Sequence, residues 1–579
     1  MTPFQRNTLH ALVCAAWAAL LPVATSAAAA SAVQTADGST LKVPAGQTLE
    51  IAQTTALNKL VVGEGATLTA PSGYSLTLTV DGVGRPIESK VYTGNVMLTL
   101  TEAIPINYSI GPFSYDYQLR TGLYFQDGVL VPAKSVAAIV QAGTVSGGNV
   151  DGLLLKSLEP KFNGVMLGGT GSHVITGARI QLVGNGGNDF VGFGAAIRAV
   201  DNTQLTLSGA RIRTTGPIRP AVFAGDNAVV TVKNSSIETS SGTLPADYDP
   251  TVIMPGKMYA VPWVLGVSGN NRATLATGSS VVSYVKSHIK AQAWGALSTD
   301  AVTKVRLSAT NSLVEVVDSG YGAYADGNSL DTFSATTFNV ADMATIISSG
   351  SASAEFKNGC VVNSGRFGVM VHSNTSGTLT VTDSSFNTQA AVFQFKSSTT
   401  KLRVNRAVLN AANGLIVQAV ANDDPVGASM GYPSGGSNVD AVFSNSVLTG
   451  DILNGNSQAG TVAVALKSTQ LTGAISTANT VHATDANGNT PTTSTPELYK
   501  LIGEFTHTNA ATGYGMSVTL DAGSKWTVSK TSYLSSLRLA AGATLSAPDG
   551  KTLSLSVDGV AKPIQAGKSY SGAIVLAVN

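Results

Sequence analysis

Residues 377–386 read GTLTVTDSSF, and this stretch decides the fold. Leu379 and Val381 alternate with threonines, a small polar run follows, and Phe386 resumes the apolar pattern. Alternation places side chains on opposite faces of a strand, and the polar interruption marks a turn. The same template recurs at 203–212 (TQLTLSGARI), 228–237 (AVVTVKNSSI), 400–409 (TKLRVNRAVL), 438–448 (NVDAVFSNSVL) and 461–471 (TVAVALKSTQL). A second series of short apolar runs accompanies it: 321–326 (YGAYAD), 344–349 (ATIISS), 367–372 (FGVMVH), 391–396 (AVFQFK) and 414–420 (GLIVQAV). These runs step by 23 or 24 residues, and longer steps toward the N-terminus read as loops inserted into the same scaffold.

A strand-rich repeat of this period predicts a solenoid, because a single coil cannot bury its own apolar face and must stack on neighbours. Two or three short strands per coil fit an all-β, right-handed parallel β-helix over 150–475. A β-propeller blade needs about 40–45 residues, which the short step argues against. The one helical pattern of note is a short run at 132–143.

The ends of the chain are related to one another. Residues 44–87 align without a gap with residues 521–564, pairing Pro71 with Pro548, Asp81 with Asp558 and Pro86 with Pro563. Asp81-Gly82 and Asp558-Gly559 are hairpin signals, since a type I′ turn needs positive φ at both central residues. Two β modules, 33–101 and 501–579, are therefore expected to flank the solenoid and cap its ends. Residues 102–149 read as a connector and 476–500, rich in Thr, Asn and Ala, as a linker.

The 579 residues carry 35 Lys+Arg against 34 Asp+Glu, a net charge of +1. That balance offers no footprint for nucleic acid. Arg6 and His10 precede an apolar run at 11–24 and small residues through Ala32, the pattern of a secretory signal peptide over 1–32. The run is too short to span a bilayer, so no integral membrane span is expected in the mature chain. A secreted or cell-surface location follows, and a periplasmic one is compatible. With Cys14 in the leader, Cys360 is the one mature cysteine and reads as a buried small hydrophobe.

The coils, the segment 522–545 (AGSKWTVSKTSYLSSLRLAAGATL) and the polar Asn/Ser/Thr turns resemble pertactin-like passenger domains of bacterial autotransporters and other secreted β-helix proteins. Trp526-x-Val528 followed by Leu534, Leu537 and Leu539 is similar to strands near the C-terminal end of such passengers. The resemblance implies an exported adhesin. No translocator barrel accompanies it, so export by another route is expected.

Chemical motifs are few. No metal-ligand spacing, phosphate loop or nucleophile elbow stands out, so neither a metal nor a cofactor is expected. Asp423-Asp424 resembles the adjacent acids of β-helical polygalacturonases, with Arg403 or Lys290 as partners, but the rest of that pattern is missing, and NDDP reads as a surface turn. Stacking the coils in register brings Asp326, His372 and Lys396 into one column, with Arg366 at the start of the His372 strand and Asp300 within one position. Such a column suits a polysaccharide lyase or hydrolase on an acidic polymer, with Lys396 or His372 as base. Trp294, Tyr321 and Tyr324 are the candidates for stacking on sugar rings. The plainer reading makes the charges solvated strand ends and the aromatics core. The balance favours a non-catalytic structural or adhesive solenoid binding an extracellular polysaccharide or a host or matrix surface.

Overall fold

The computed structural model describes residues 40–110, 112–250, 261–427, 433–455, 460–513 and 515–579. The signal-peptide expectation lies outside the described residues.

From Thr121 onward the chain winds into a parallel β-helix with three sheets. The first holds strands such as Asn202–Ser208, Leu330–Ser334 and Thr399–Asn405. The second holds Arg179–Val183, Arg211–Thr215, Val361–Ser364 and their neighbours. The third holds Val222–Ala224, Met343–Ser348, Val369–Val371, Phe393–Lys396 and Leu415–Val420. Within each sheet strands pair in parallel with the equivalent strands of neighbouring coils, as in Thr337↔Val361↔Ser385↔Val408. The alternating template therefore sends every second side chain inward. Phe333, Phe338, Phe356, Phe386 and Phe393 stack in the core with ring centroids 4.9 to 5.8 Å apart. Each buried phenylalanine contributes about 1.5–3 kcal/mol.

The polar interruption of the template is a tight turn between the first and second sheets. Its left-handed residue recurs coil after coil: Asn234, Lys286, Asn311, Ala335, Asp383, Arg406, Asn445 and Ser468 all have φ between 47° and 51°. The next residue is a buried hydroxyl in most coils, and backbone N–H groups donate along the file. Ser235 N–H donates to Ser287 Oγ (3.2 Å) and Ser287 N–H to Ser312 Oγ (3.2 Å). Cys360 occupies this file between Thr336 and Ser384, because Val361 pairs with Thr337 and Ser385. Its thiol lies 3.3 Å from Lys357 O, and burial pushes its pKa up.

The two ends share one topology. Thr40–Val43, Thr55–Val62, Tyr74–Val80 and Val83–Arg85 match Gly515–Leu520, Ser532–Leu539, Leu553–Val557 and Val560–Lys562 in order and pairing. Asp81 and Asp558 both have φ 51°, each followed by a left-handed glycine. Tyr92 donates to Pro86 O (2.6 Å) and Tyr570 to Pro563 O (2.7 Å). Their attachments differ. The C-terminal copy continues the helix, with Lys525–Val528 lying on Gln470–Gly473 and Trp526 fully buried. The N-terminal copy has its own core around Leu60, Leu78 and Leu98, and sets Val83–Arg85 beside Asn149–Ser157.

Three segments differ from the sequence expectation. Residues 132–143 are not one helix: Pro132–Lys134 and Ala137–Ile139 are 3₁₀ turns, and Val140–Ser146 is a strand. The fully buried Val136 and Ile139 anchor these turns to the core in place of a helical face. The stretch read as a connector forms the hairpin Ile104–Ile110/Phe113–Leu119 and the first coil strand, Thr121–Gln126. The stretch read as a linker begins with Ile475–His482, which pairs antiparallel with Phe505–Asn509. Both excursions, together with the loops around Asp189 and Trp263, lie against the outer face of the third sheet and roof it through apolar clusters that join Met166 to Phe193 and Met370 to Val267.

Candidate functional site

The third sheet positions the candidate residues. Pairings Asp326↔Ser348, Ile347↔Val371↔Phe395 and Lys396↔Val420 place Asp326, His372 and Lys396 in one file on its outer edge, as the coil register requires. The file divides into two electrostatic groups.

At the C-terminal side, Lys396 and His372 have no exposed surface. The turn at 421–427 folds over them and aims its acids inward. Lys396 Nζ pairs with Asp423 Oδ1, and His372 Nε2 lies 3.5 Å from Asp424 Oδ2. Asp423 Oδ2 also meets His482 Nε2 at 2.9 Å and accepts the Gly503 N–H at 2.6 Å. Burial raises the Asp423 carboxyl, but the Lys396 charge and these two contacts outweigh it and hold it well below the usual carboxylate range. Burial lowers His482, and its contact with Asp423 outweighs that, so its pKa is raised. Gly503 is clamped from the other side, where Gln394 Nε2 (2.6 Å) and Gln418 Nε2 (3.1 Å) donate to its carbonyl. Its φ of 85° and the 2.8 Å a Cβ would leave to the Gln394 side chain favour glycine.

Solvated strand ends are therefore the wrong description of Lys396 and His372. So is an exposed turn for Asp423-Asp424. A lysine and a histidine buried at apolar strand ends need polar partners, and the one pair of adjacent acids in the chain supplies them. Arg366 does not join this group. Its guanidinium reaches Glu504 (2.9 Å), Gly266 O (2.6 Å) and Ile502 O (2.7 Å), tying two roof segments to the coil. Arg403 pairs with Asp440 on the neighbouring strand of the first sheet, a different sheet from the one the Asp423 turn covers.

Toward the N-terminal side, Arg272 is buried between Asp189 (2.8 Å) and Asp300 (3.1 Å) and stacks over Trp294, 4.9 Å from the ring centre. Asp326 stands one coil from Asp300; burial and then the Asp300 charge push its carboxyl up to about 7. Burial also raises Asp300, against the opposing pull of Arg272. Trp294 and Tyr321 are buried in the apolar cluster with Met343 and Phe367, and Tyr324 is half-buried beside Tyr321 at 5.4 Å. The sugar-stacking role expected for Trp294 and Tyr321 is thus not available, because the 261–270 loop covers them.

Among the described residues no group of three or more His, Cys, Asp or Glu is placed to hold a metal ion, and no helix is long and apolar enough to cross a membrane. The sequence carries one sign of the buried network, a lysine closing the apolar run AVFQFK; the other members at 423, 482 and 503 come from the 421–427 turn and the 475–509 excursion. No protein-family model and no curated protein matches the chain.

Proposed function

We propose that the chain is an exported, non-catalytic β-solenoid, structural or adhesive, that binds a cell-surface or extracellular-matrix polymer, in the manner of the pertactin-like passengers it resembles. One observation carries this reading. The two groups best suited to act as a lyase base, His372 and Lys396, are sealed from solvent and matched to Asp424 and Asp423, so neither reaches a polymer. The open second sheet instead presents regular polar ladders. Asn363, Asn387 and Asn410 each donate to the asparagine one coil before, at 2.9 to 3.0 Å.

The test is to offer the protein a panel of acidic and neutral polysaccharides and matrix surfaces. Retention on a surface without new unsaturated uronate absorbance or reducing ends is expected. Depolymerisation by the purified chain refutes the reading. A hydrolase has one observation in its favour, the neighbouring Asp300 and Asp326 carboxyls with raised pKa, since paired carboxyl groups serve glycoside hydrolysis. Release of reducing ends that disappears in Asp326→Asn would establish it.

A further inference from the structure

The second sheet carries a charged groove on its outer face. It runs in two stretches of about 470 and about 970 Å³ that share Arg211 and Ser236. Lys156, Arg179, Arg211, Arg213, Lys286 and His288 line it, and no carboxylate and no Phe, Tyr or Trp does. Glu238 and Glu315 stand outside the lining, where they pair with Arg213 (2.8 Å) and His288. In a chain whose charges balance to +1 overall, this is a local excess of one sign.

The coil register builds it. Arg179 pairs directly with Arg211, and Arg211 with Ser236, which pairs in turn with His288. Like charges directly opposite on neighbouring strands are destabilising, and here both guanidiniums are exposed, with no acid across from them. From Leu154 through Arg179, Arg211, Ser236, His288 and Leu313 to Thr337 the groove follows seven strands, six steps of about 4.8 Å, or roughly 29 Å. Its arginines are held on strands at a repeat set by the coil, and Lys286 on the tight turn beside them.

We propose that this groove binds an extended anionic polysaccharide, one carrying carboxylate or sulfate groups along its length. The proposal rests on the polymer-binding reading above and names the site and the class of polymer. Arginine forks recognise carboxylate and sulfate oxygens bidentately, and the lining side chains of Gln181, Asn234, Ser236 and Asn311 are suited to sugar hydroxyls. Single-stranded nucleic acid is disfavoured, because its sequence-tolerant binders stack successive bases on a series of aromatic side chains and the lining has no Phe, Tyr or Trp. A neutral glycan leaves the like charges unrelieved.

The experiment uses the full chain and Arg179→Ala/Arg211→Ala, with Arg403→Ala/Arg406→Ala as a control elsewhere on the solenoid. Binding of polygalacturonate, dextran sulfate, neutral dextran and oligo(dT) is measured by calorimetry at about 50 and about 200 mM NaCl. Expected are binding to polygalacturonate or dextran sulfate, none to dextran, weakening at higher salt, and a loss of about tenfold or more in the Arg179/Arg211 variant alone. Preference for polygalacturonate assigns carboxylate, and preference for dextran sulfate assigns sulfate. Unchanged binding in that variant, no binding to either polyanion, or equal affinity for oligo(dT) overturns the proposal. A wild-type chain and Arg179/Arg211 variant that adhere equally to matrix sink this groove alone. A chain that adheres to no surface sinks the broader reading. Both arginines are exposed, so matched circular dichroism and melting of the variant establish that the fold survives.

Discussion

Replacing Asp423 with asparagine removes one charge from the buried group and leaves its shape. The new amide still offers an oxygen to the Gly503 N–H, while Lys396 loses the carboxylate that balances it with no exposed surface of its own. Breaking a buried pair from one side costs about 3–5 kcal/mol. At about 2.1 cal/mol/K per residue, a 579-residue chain unfolding as one unit has an unfolding entropy near 1.2 kcal/mol/K, so Tm falls by only about 3–4 °C. The local effect is larger, because His482 and Gly503 hold the 475–509 excursion onto the third sheet through this carboxylate. Hydrogen exchange by mass spectrometry over 475–509 should therefore rise well before the global melt. Lys396→Met combined with Asp423→Asn removes both charges and should recover most of the loss, since an ion pair exchanged for uncharged groups is often neutral. Wild-type melting and unchanged exchange in Asp423→Asn would show that Lys396 is balanced elsewhere and refute the account of the roof.

Four further outcomes follow from the fold. Cys360→Ser should be neutral or stabilise by up to about 1 kcal/mol in urea denaturation, because the new hydroxyl joins the file of Thr336 and Ser384 and finds Lys357 O; a loss above about 2 kcal/mol would contradict that file. Ala335→Gly should stabilise by about 0.5–1 kcal/mol, relief of the left-handed φ of 48° exceeding the entropy of a freer unfolded chain; a lower melting point would count against it. Burial pushes Glu159, against Arg120, and Asp326 up to about 7, so the folded state binds protons that the unfolded state releases near pH 4. Their contribution falls from pH 4 to 7, and Glu159→Gln/Asp326→Asn should flatten the decline in urea midpoints between pH 4 and 7; an unaltered slope would exclude these groups. The depressed Asp423 acts in the opposite sense, and its stabilisation is lost only as pH falls below about 4. Finally, removing residues 501–579 bares the edges of Thr461–Lys467 and Gln470–Gly473, and light scattering should report aggregation.

The coil was legible in the sequence because it is a local property. A period of two within GTLTVTDSSF and a 23-residue step between runs determine strand, turn and neighbour without reference to the rest of the chain. The matching ends were legible for the same reason, since Asp81-Gly82 and Asp558-Gly559 each encode their own hairpin. Even the file of Asp326, His372 and Lys396 followed from coil register. What tertiary structure alone decided is which side of that file meets water. Burial of Lys396 depends on a turn 27 residues later and on His482 and Gly503, which reach it only when the 475–509 excursion folds back over the third sheet. The basic groove is of the same kind. Arg179 and Arg211 are 32 residues apart in a chain of balanced charge, and only the longer step between their coils, closed by parallel pairing, sets them side by side. Composition averages over such neighbours, whereas electrostatics depends on their distance.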